Sequence, residues 1–566
     1  MRFLDPPAPI PPTPADEIER RVERVAQKKD EWTKTPIVAR IAFLRRCIDG
    51  VMAVAPRWVD AGCRMKGIDP ASPLAGEEWL VGPWETVRNL RLLVEALAAG
   101  GAPRPPRMRR LPSGQQIAEV FPANLIDDLL FRGFRAEVWV EPGKPASQGA
   151  IYKAPPGPCK VALVLGGGNV SSIPSMDVLY KLFAENEVCV LKVNPVNDFI
   201  GPILEEAFRP LIDEGFLAIV HGGADVGDRL ASHPKIDTLH VTGSDRTYDA
   251  IVWGPPETRA QRKAEGARRN PRPFSAELGC VTPILVVPGP WSSADLRWQA
   301  RHVAGMVTQN ASFNCNAGKV LVLARGWLQR DAFVREVRAA LARTPPRKAY
   351  YPGAAERWRG FVDRYPQAEI VGREADGVVP WTYIPDVPPR AGEHALVSEA
   401  FCGVLAEVTL DADDAAAFLD KATAFANDAC WGTLSATVLV HPQTMRDHRE
   451  ALARTIAELR YGGVGVNCWS AVAYALVSTS WGAFPGHTPE DIRSGAGVVH
   501  NALLFDHPQK SVVYAPFRIR PTPVWFPDHK NLAGLGRAMT ELEAARANAG
   551  RAGTFRRFLR VLSQVL

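Results

Sequence analysis

Residues 160 to 244 predict an α/β chain whose core is a doubly wound parallel sheet. Three observations carry that prediction. Four short apolar runs, KVALVL, VCVLKV, LAIV and IDTLHV, have the length and continuity of strands buried on both faces. Single helical patterns separate them, which is how a chain returns to lay each parallel strand beside the last. Each run ends in glycine or polar residues (GGGN, KVNP, HGG, TGS), at the carboxyl edge where such sheets hold ligands.

Taken in order, the Pro-rich residues 5 to 14 predict an extended arm, and residues 15 to about 100 a helical stretch. There Ile37, Ile41, Leu44 and Ile48 recur at three- and four-residue spacing, the period of one helix face. PRPPRMRRLP, 103 to 112, reads as an exposed linker. FRAEVWVEPG, 134 to 143, alternates around Val138 and Val140 and predicts a strand, half of a projecting hairpin. Within the core, SSIPSMDVLYKLFAENE, FIGPILEEAFRPLIDEG and ADVGDRLASHP are the intervening helices. LGGGN is glycine-rich but lacks the G-x-G-x-x-G order, so a nucleotide site here departs from that fingerprint.

The whole chain bounds the function. Its 566 residues, 46% hydrophobic and 23% charged, are globular in composition and long enough for two domains. A net charge of +6 is small for this length, and neither zinc-finger spacing nor an RNP-like aromatic strand is present, so no nucleic-acid partner is expected. The nine cysteines include no C-x-x-C pair, which predicts a reduced, cytoplasmic setting without disulfides or a metal site. The opening MRFLDPPAPIPPTP breaks into prolines before an apolar segment forms, and no run has membrane-spanning length.

QNASFNCNAGKV, 309 to 320, sets one thiol, Cys315, among small and amide-bearing residues. A lone cysteine is as readily a small buried hydrophobe as a nucleophile. Other segments decide between them. GGGNVSSIP, VCVLKVNP, HVTGSDRTYD, SAELGCVTP, FNCNAG and SEAFCGVL follow one another within residues 30 to 510, and in this order they resemble the motifs of the aldehyde dehydrogenase superfamily. The resemblance puts Asn169 on the family's asparagine, although Gly168 stands where a tryptophan is usual. It puts Lys192 on the cofactor-contacting lysine, Gly243 and Ser244 on the turn before a helix, and Tyr248 where a glycine is usual. Glu277 and Pro283 match the E-L-G-G-K-x-P motif, with Cys280 replacing its second glycine. Cys315 falls on the nucleophile, Asn310 on the asparagine five residues earlier, and Glu399 and Phe401 on the E-x-F motif.

The resemblance implies two doubly wound parallel-sheet domains with a small β oligomerisation arm. Its expected divisions are an N-terminal helical part of the cofactor domain at 1–133, the arm at 134–153, the cofactor domain at 154–275 and the catalytic domain at 276–480. A return segment with an oligomerisation strand at 481–525 and a helical tail at 526–566 complete it. It implies NAD- or NADP-dependent oxidation of a small-molecule aldehyde to a carboxylic acid. Cys315 is then the nucleophile, Asn169 an oxyanion donor and Glu277 the base that activates water. Lys192 and Glu399 serve nicotinamide-side and adenosine ribose hydroxyls, Phe401 the nicotinamide ring, and Gly243 and Ser244 the pyrophosphate at a helix N-terminus. Pro195 stands where NAD-preferring members often carry a glutamate, so NADP is permitted. A homo-oligomer, dimer or tetramer, is implied through FRAEVWVEPG and the strand near KSVVYAPF. The rival readings are an acyl-thioester (CoA-linked) reductase of the same fold, which needs no Glu277, and a catalytically silent nucleotide-binding scaffold.

Three segments stay open. The basic stretch 257 to 274 either solvates an insertion or attracts a phosphate of cofactor or substrate. Phe313, Trp469, Ala471, Val472 and Ala473 either line an apolar tunnel or belong to the core. The tail TFRRFLRVLSQVL puts Phe555, Phe558, Leu559, Leu562 and Leu566 on one helical face and Arg556, Arg557 and Arg560 elsewhere. Docking on protein is the expectation for it, with peripheral membrane contact as the alternative.

Overall fold

The computed structural model describes residues 3–154 and 157–565. A six-stranded sheet runs in the order Gly495–Ala496, Phe274–Leu278, Thr238–Gly243, Val161–Leu165, Val188–Lys192, Leu217–Val220. All four strands expected from the apolar runs are present and pair in parallel. Their residues are buried on both faces, apart from Gly243 at one carboxyl end, which explains why the sequence shows continuous apolar runs rather than alternation. After Val161–Leu165 the chain builds two strands on one side, then crosses back to lay Thr238–Gly243 on the other. Loops leaving the two adjacent strands Val161–Leu165 and Thr238–Gly243 therefore diverge, and a crevice opens beside Gly166–Asn169 and Ser244. The helices Ala15–Lys34 and Ile37–Met65 lead into this half of the molecule; Leu44 and Ile48 are fully buried, with Ile37 and Ile41 packed at the edge of the same core.

A second sheet has eleven strands. Its centre, Gly463–Val466, Ser435–Leu439, Thr282–Val286, Gly318–Ala324, Val404–Leu410 and Thr382–Ile384, is parallel throughout. Along one edge Pro508–Tyr514 adds in parallel, followed by the antiparallel strands Arg135–Val140, Gln116–Phe121 and Arg107–Arg110. Two expectations change here. The strand in FRAEVWVEPG forms, but within this chain it lies between two neighbours instead of projecting. The stretch read as a linker contains the strand Arg107–Arg110, so the segment before residue 133 is not wholly helical. A long-range charge explains the second change. Glu137 is fully buried, and Arg109 and Arg135 each reach its carboxylate at 2.9 Å. A buried carboxylate without a partner is strongly unfavourable, so RMRR is held at the sheet edge by its charge rather than by any apolar alternation.

The tail is a pair of helices, Leu532–Asn548 and Arg551–Val565, packed on one another. The first lies against Gly76–Trp79 and Glu85–Ala98. A Cβ on Gly76 would sit 2.2 Å from the Leu532 carbonyl carbon, so only glycine permits this approach. Glu543 is buried between two buried arginines, with Arg88 at 2.6 Å and Arg91 on its other oxygen, and Arg546 reaches Asp127 at 2.9 Å. Phe558 and Val561 are buried beneath the last helix, while Phe555 and Leu559 remain exposed. Leu566 lies outside the described residues. No described helix is long and apolar enough to cross a membrane.

Candidate active site

The loop that presents Cys315 is strained and heavily tied. The helix Ser293–Thr308 gives way to Asn310, Ala311 and Ser312, with φ of 54°, 54° and 69°. Three consecutive non-glycine residues in the left-handed region cost of order 1–3 kcal/mol each and persist only where their surroundings over-determine them. Here the Asn310 amide donates to the carbonyls of Asn169 (3.0 Å) and Phe313 (3.2 Å) and to Asn314 Oδ1 (2.9 Å). The Tyr350 hydroxyl lies 3.0 Å from Asn310 Oδ1, and Ser312 donates to the Cys402 carbonyl at 3.0 Å. Of the nine cysteines, eight are buried; Cys315 alone is half-buried.

Asn169 and Glu277 come to the same place from the six-stranded sheet. Asn169 follows the strand Val161–Leu165, and its side-chain amide donates to the Phe313 carbonyl at 2.9 Å, two residues before the thiol. That uses one of its two amide hydrogens and leaves the other for a ligand. Glu277 sits near the end of Phe274–Leu278 and is 3% exposed. Burial pushes its carboxyl up to about 8, and the neighbouring Cys315 thiol and Trp481 indole pull it part of the way back. Its Oε1 has no hydrogen-bond partner among the described residues, an open acceptor inside a closed site. Burial and the Glu277 charge together push the Cys315 thiol well up, so the thiol holds its proton in the resting site, with the Glu277 carboxyl beside it.

The remaining expected residues line the crevice. Lys192 ends the strand Val188–Lys192; it is 7% exposed, makes no ion pair among the described residues, and burial lowers it to about 8. Nearby, buried Asn197 Oδ1 and His221 Nδ1 also lack partners. Gly243 closes Thr238–Gly243, and Ser244 caps the helix Asp245–Val252 by accepting from the Thr247 N–H at 3.2 Å. Glu399 lies over Gly279, where any Cβ would fall 2.0 Å from its Oε2, and burial raises it to about 7. The Phe401 ring is 5.8 Å from that of Phe313 in the loop that carries Cys315. Orphaned polar atoms, a buried lysine without an ion-pair partner among the described residues and a helix N-terminus at the strands' carboxyl edge fit a dinucleotide.

The departures from the family pattern have local explanations. A side chain at Gly168 would meet the Asn194 amide at 2.7 Å, so Asn194 occupies the space a larger residue would take. Tyr248 is buried against Phe274, 4.9 Å between rings, and does not enter the crevice. Cys280 is buried packing. In the basic stretch, the helix Pro256–Glu265 sends Lys263 to Asp249 at 3.0 Å, Arg269 pairs with Asp228, and Arg272 donates to the Ala231 and His233 carbonyls. Lys263, Arg269 and Arg272 are thus engaged by residues of neighbouring elements outside the insertion.

Beside the thiol lies an apolar cavity of about 200 Å³ whose wall includes both neighbours of Cys315, Asn314 and Asn316. Trp469, Ala471 and Val472 line it; Phe313 and Ala473 do not, since Phe313 packs edge-on against Tyr350 at 4.9 Å and Ala473 is core. Sequence reading missed Trp481, Tyr350 and Lys319. Lys319 is buried four residues after Cys315 and donates to the Asn314 and Ala317 carbonyls. Only its place inside GKVLVLA, a charge opening an otherwise apolar strand, signalled it.

Comparison with known proteins gives the same architecture. The sequence profile of the aldehyde dehydrogenase family matches residues 169–350. The "Putative aldehyde dehydrogenase" of Staphylococcus aureus (strain MSSA476) is 31% identical over 159 residues, which is 28% of this chain and 30% of that relative's length. The NAD-dependent aldehyde dehydrogenase of Sinorhizobium meliloti superposes with a TM-score of 0.60 at 19% identity, covering 92% of each chain. The Mycobacterium tuberculosis aldehyde dehydrogenase complexed with NAD+ gives 0.61 at 16% identity, over 92% of this chain and 95% of that one. The NADP-dependent glyceraldehyde-3-phosphate dehydrogenase of Bacillus halodurans, complexed with NADP, gives 0.57 at 16%, over 90% and 95%. The segment that matches the aldehyde dehydrogenase family contains Asn169, Glu277 and Cys315, and it lies in a fold shared with aldehyde dehydrogenases over nine-tenths of the chain.

Proposed function

We propose that this protein oxidises an aldehyde to a carboxylic acid with NAD or NADP, using Cys315 as nucleophile. The observation that carries the reading is the meeting of three groups from distant parts of the chain. A half-buried cysteine on a strained loop stands beside a buried carboxyl with an open oxygen, and an asparagine amide is tethered two residues away. Attack by sulfur on the carbonyl carbon passes the thiol proton to Glu277 and places negative charge on the aldehyde oxygen. The free Asn169 N–H and the Cys315 backbone N–H stabilise that oxyanion, a donor of this kind contributing about 3 kcal/mol. Lys192, Ser244, Glu399 and Phe401 hold a nicotinamide dinucleotide, which when bound supplies the hydride acceptor. The carbon is then a thioester on Cys315. Glu277, once deprotonated, takes a proton from water; the hydroxyl adds to the thioester carbon and the sulfur leaves, releasing the carboxylic acid.

The neighbours crystallised with NAD+ and with NADP support either cofactor for this chain. Pro195 is exposed, and the carboxylate that follows it, Asp198, is engaged by the Ile10 backbone N–H at 2.8 Å. Buried, scattered cysteines suit a reducing cytoplasm. The direct test is a panel of aldehydes with NAD and with NADP, read by the absorbance of the reduced nicotinamide, for wild type and Cys315→Ala. Turnover in the wild type, and its loss in the variant with dinucleotide binding intact, is the expected result. Undiminished turnover in Cys315→Ala would overturn the assignment.

A further inference from the structure

The apolar cavity beside Cys315 is closed on its far side by the C-terminal tail. Leu535 and Met539 from the first tail helix and Val561 and Val565 from the last stand in its wall. The same cavity reaches Asn314 and Asn316, so one continuous space joins the two residues that flank Cys315 to residues some 220 to 250 positions later in the chain. The walls between carry no free charge. Glu85 lines the cavity, but burial raises its carboxyl to about 8, and it accepts from the Ser172 hydroxyl at 2.6 Å. Glu77, also in the wall, is paired with Arg347 at 2.8 Å. The unpaired cations, Arg132 and Arg520, are exposed and mark the solvent end.

We infer that the two tail helices are a specificity device, a wall that measures the apolar chain of an unbranched aliphatic aldehyde whose carbonyl lies at Cys315. The role of the tail is thereby catalytic-site architecture, and the inference rests on the dehydrogenase reading only for what happens at the carbonyl end. At roughly 30 Å³ for each water-sized group, a cavity of about 200 Å³ takes a chain of about six or seven heavy atoms. Each methylene buried there multiplies binding about fourfold, from about 0.8 kcal/mol per CH₂. A predominantly apolar wall, whose few polar groups include the Trp84 and Trp525 indoles, selects against heavily hydroxylated or charged chains, because most of their polar groups would lose water without compensation.

The test compares propanal, hexanal and octanal as substrates, and separately titrates octan-1-ol into the full-length protein by calorimetry. In the wild type, kcat/KM is expected to rise about fourfold per carbon, and octan-1-ol to bind. Val565→Trp, at a half-buried position in the last turn, fills the far end and should lower the octanal-to-propanal ratio of kcat/KM at least tenfold, with a matching loss of octan-1-ol affinity. Should that variant fail to fold, Val561→Ala enlarges the same space and should raise the decanal-to-octanal ratio severalfold. An unchanged ratio in a folded variant overturns the inference, as does wild-type turnover without chain-length dependence or octan-1-ol binding. If no aldehyde is oxidised yet octan-1-ol binds and Val565→Trp weakens it, the tail wall stands and the dehydrogenase reading falls.

Discussion

Replacing Glu277 by glutamine probes the proposed water-activating step, and the surroundings of this carboxyl fix what its pH dependence must be. Burial at 3% exposure raises it to about 8. A base of that value is ionised to about a tenth at pH 7 and to about nine tenths at pH 9. Deacylation that needs ionised Glu277 therefore speeds up about tenfold between those conditions and levels off above. The thiol of Cys315 is pushed up as well, so the acylation burst carries its own limb at higher pH, and the two phases must be read separately. Stopped-flow absorbance of the reduced nicotinamide separates them. Glu277→Gln is expected to slow the burst, since the carboxyl also takes the thiol proton, but to leave its amplitude near one reduced cofactor per active site before a stall, with no pH-dependent steady phase. Stability supplies a second readout with a definite sign. A carboxyl raised in the folded state makes the protein less stable as pH rises from its ordinary value of 4.5 towards 8, and the glutamine variant lacks that slope. An unaltered steady-state pH limb in the variant, or equal loss of burst and steady state, would refute the reasoning.

With Pro195 in place of a carboxylate, comparable kcat/KM for NAD and NADP is expected; a strong NAD preference would instead make Asp225, the charge acting on Lys192, the group that repels a 2′-phosphate. Glu543→Gln leaves Arg88 and Arg91 buried without their shared counter-charge and should weaken the docking of residues 532–565 by about 3–5 kcal/mol at pH 7, read by hydrogen exchange of the tail amides. The folded protein holds the Glu543 carboxyl below its ordinary value of 4.5, so this contribution is complete above that pH and fades below it. A wild-type-to-variant gap that fails to narrow in acid would argue that the arginines are neutralised elsewhere.

The sequence by itself determined the parts of this protein whose signal is local. Buried parallel strands need continuous apolar residues, and the helices between them need a 3.6-residue period, so residues 160 to 244 announce four strands of the six-stranded sheet and their carboxyl edge within a few positions. Short motifs likewise carry Asn169, Glu277 and Cys315, because strand ends, tight turns and the nucleophile loop each constrain a handful of adjacent residues. What only the tertiary structure decided involves partners far apart in the chain. RMRR becomes a strand because Glu137 is buried and needs Arg109. Arg135–Val140 lies inside a sheet because Pro508–Tyr514 arrives beside it. The Glu277 carboxyl is raised because the folded chain buries it, and nothing in SAELGCVTP encodes that burial. The tail shows an amphipathic helix in its sequence, yet its occupation by a protein surface depends on Gly76, Arg88, Arg91 and Glu543, hundreds of residues apart, whose apolar and charge complementarity exists only once the chain has folded.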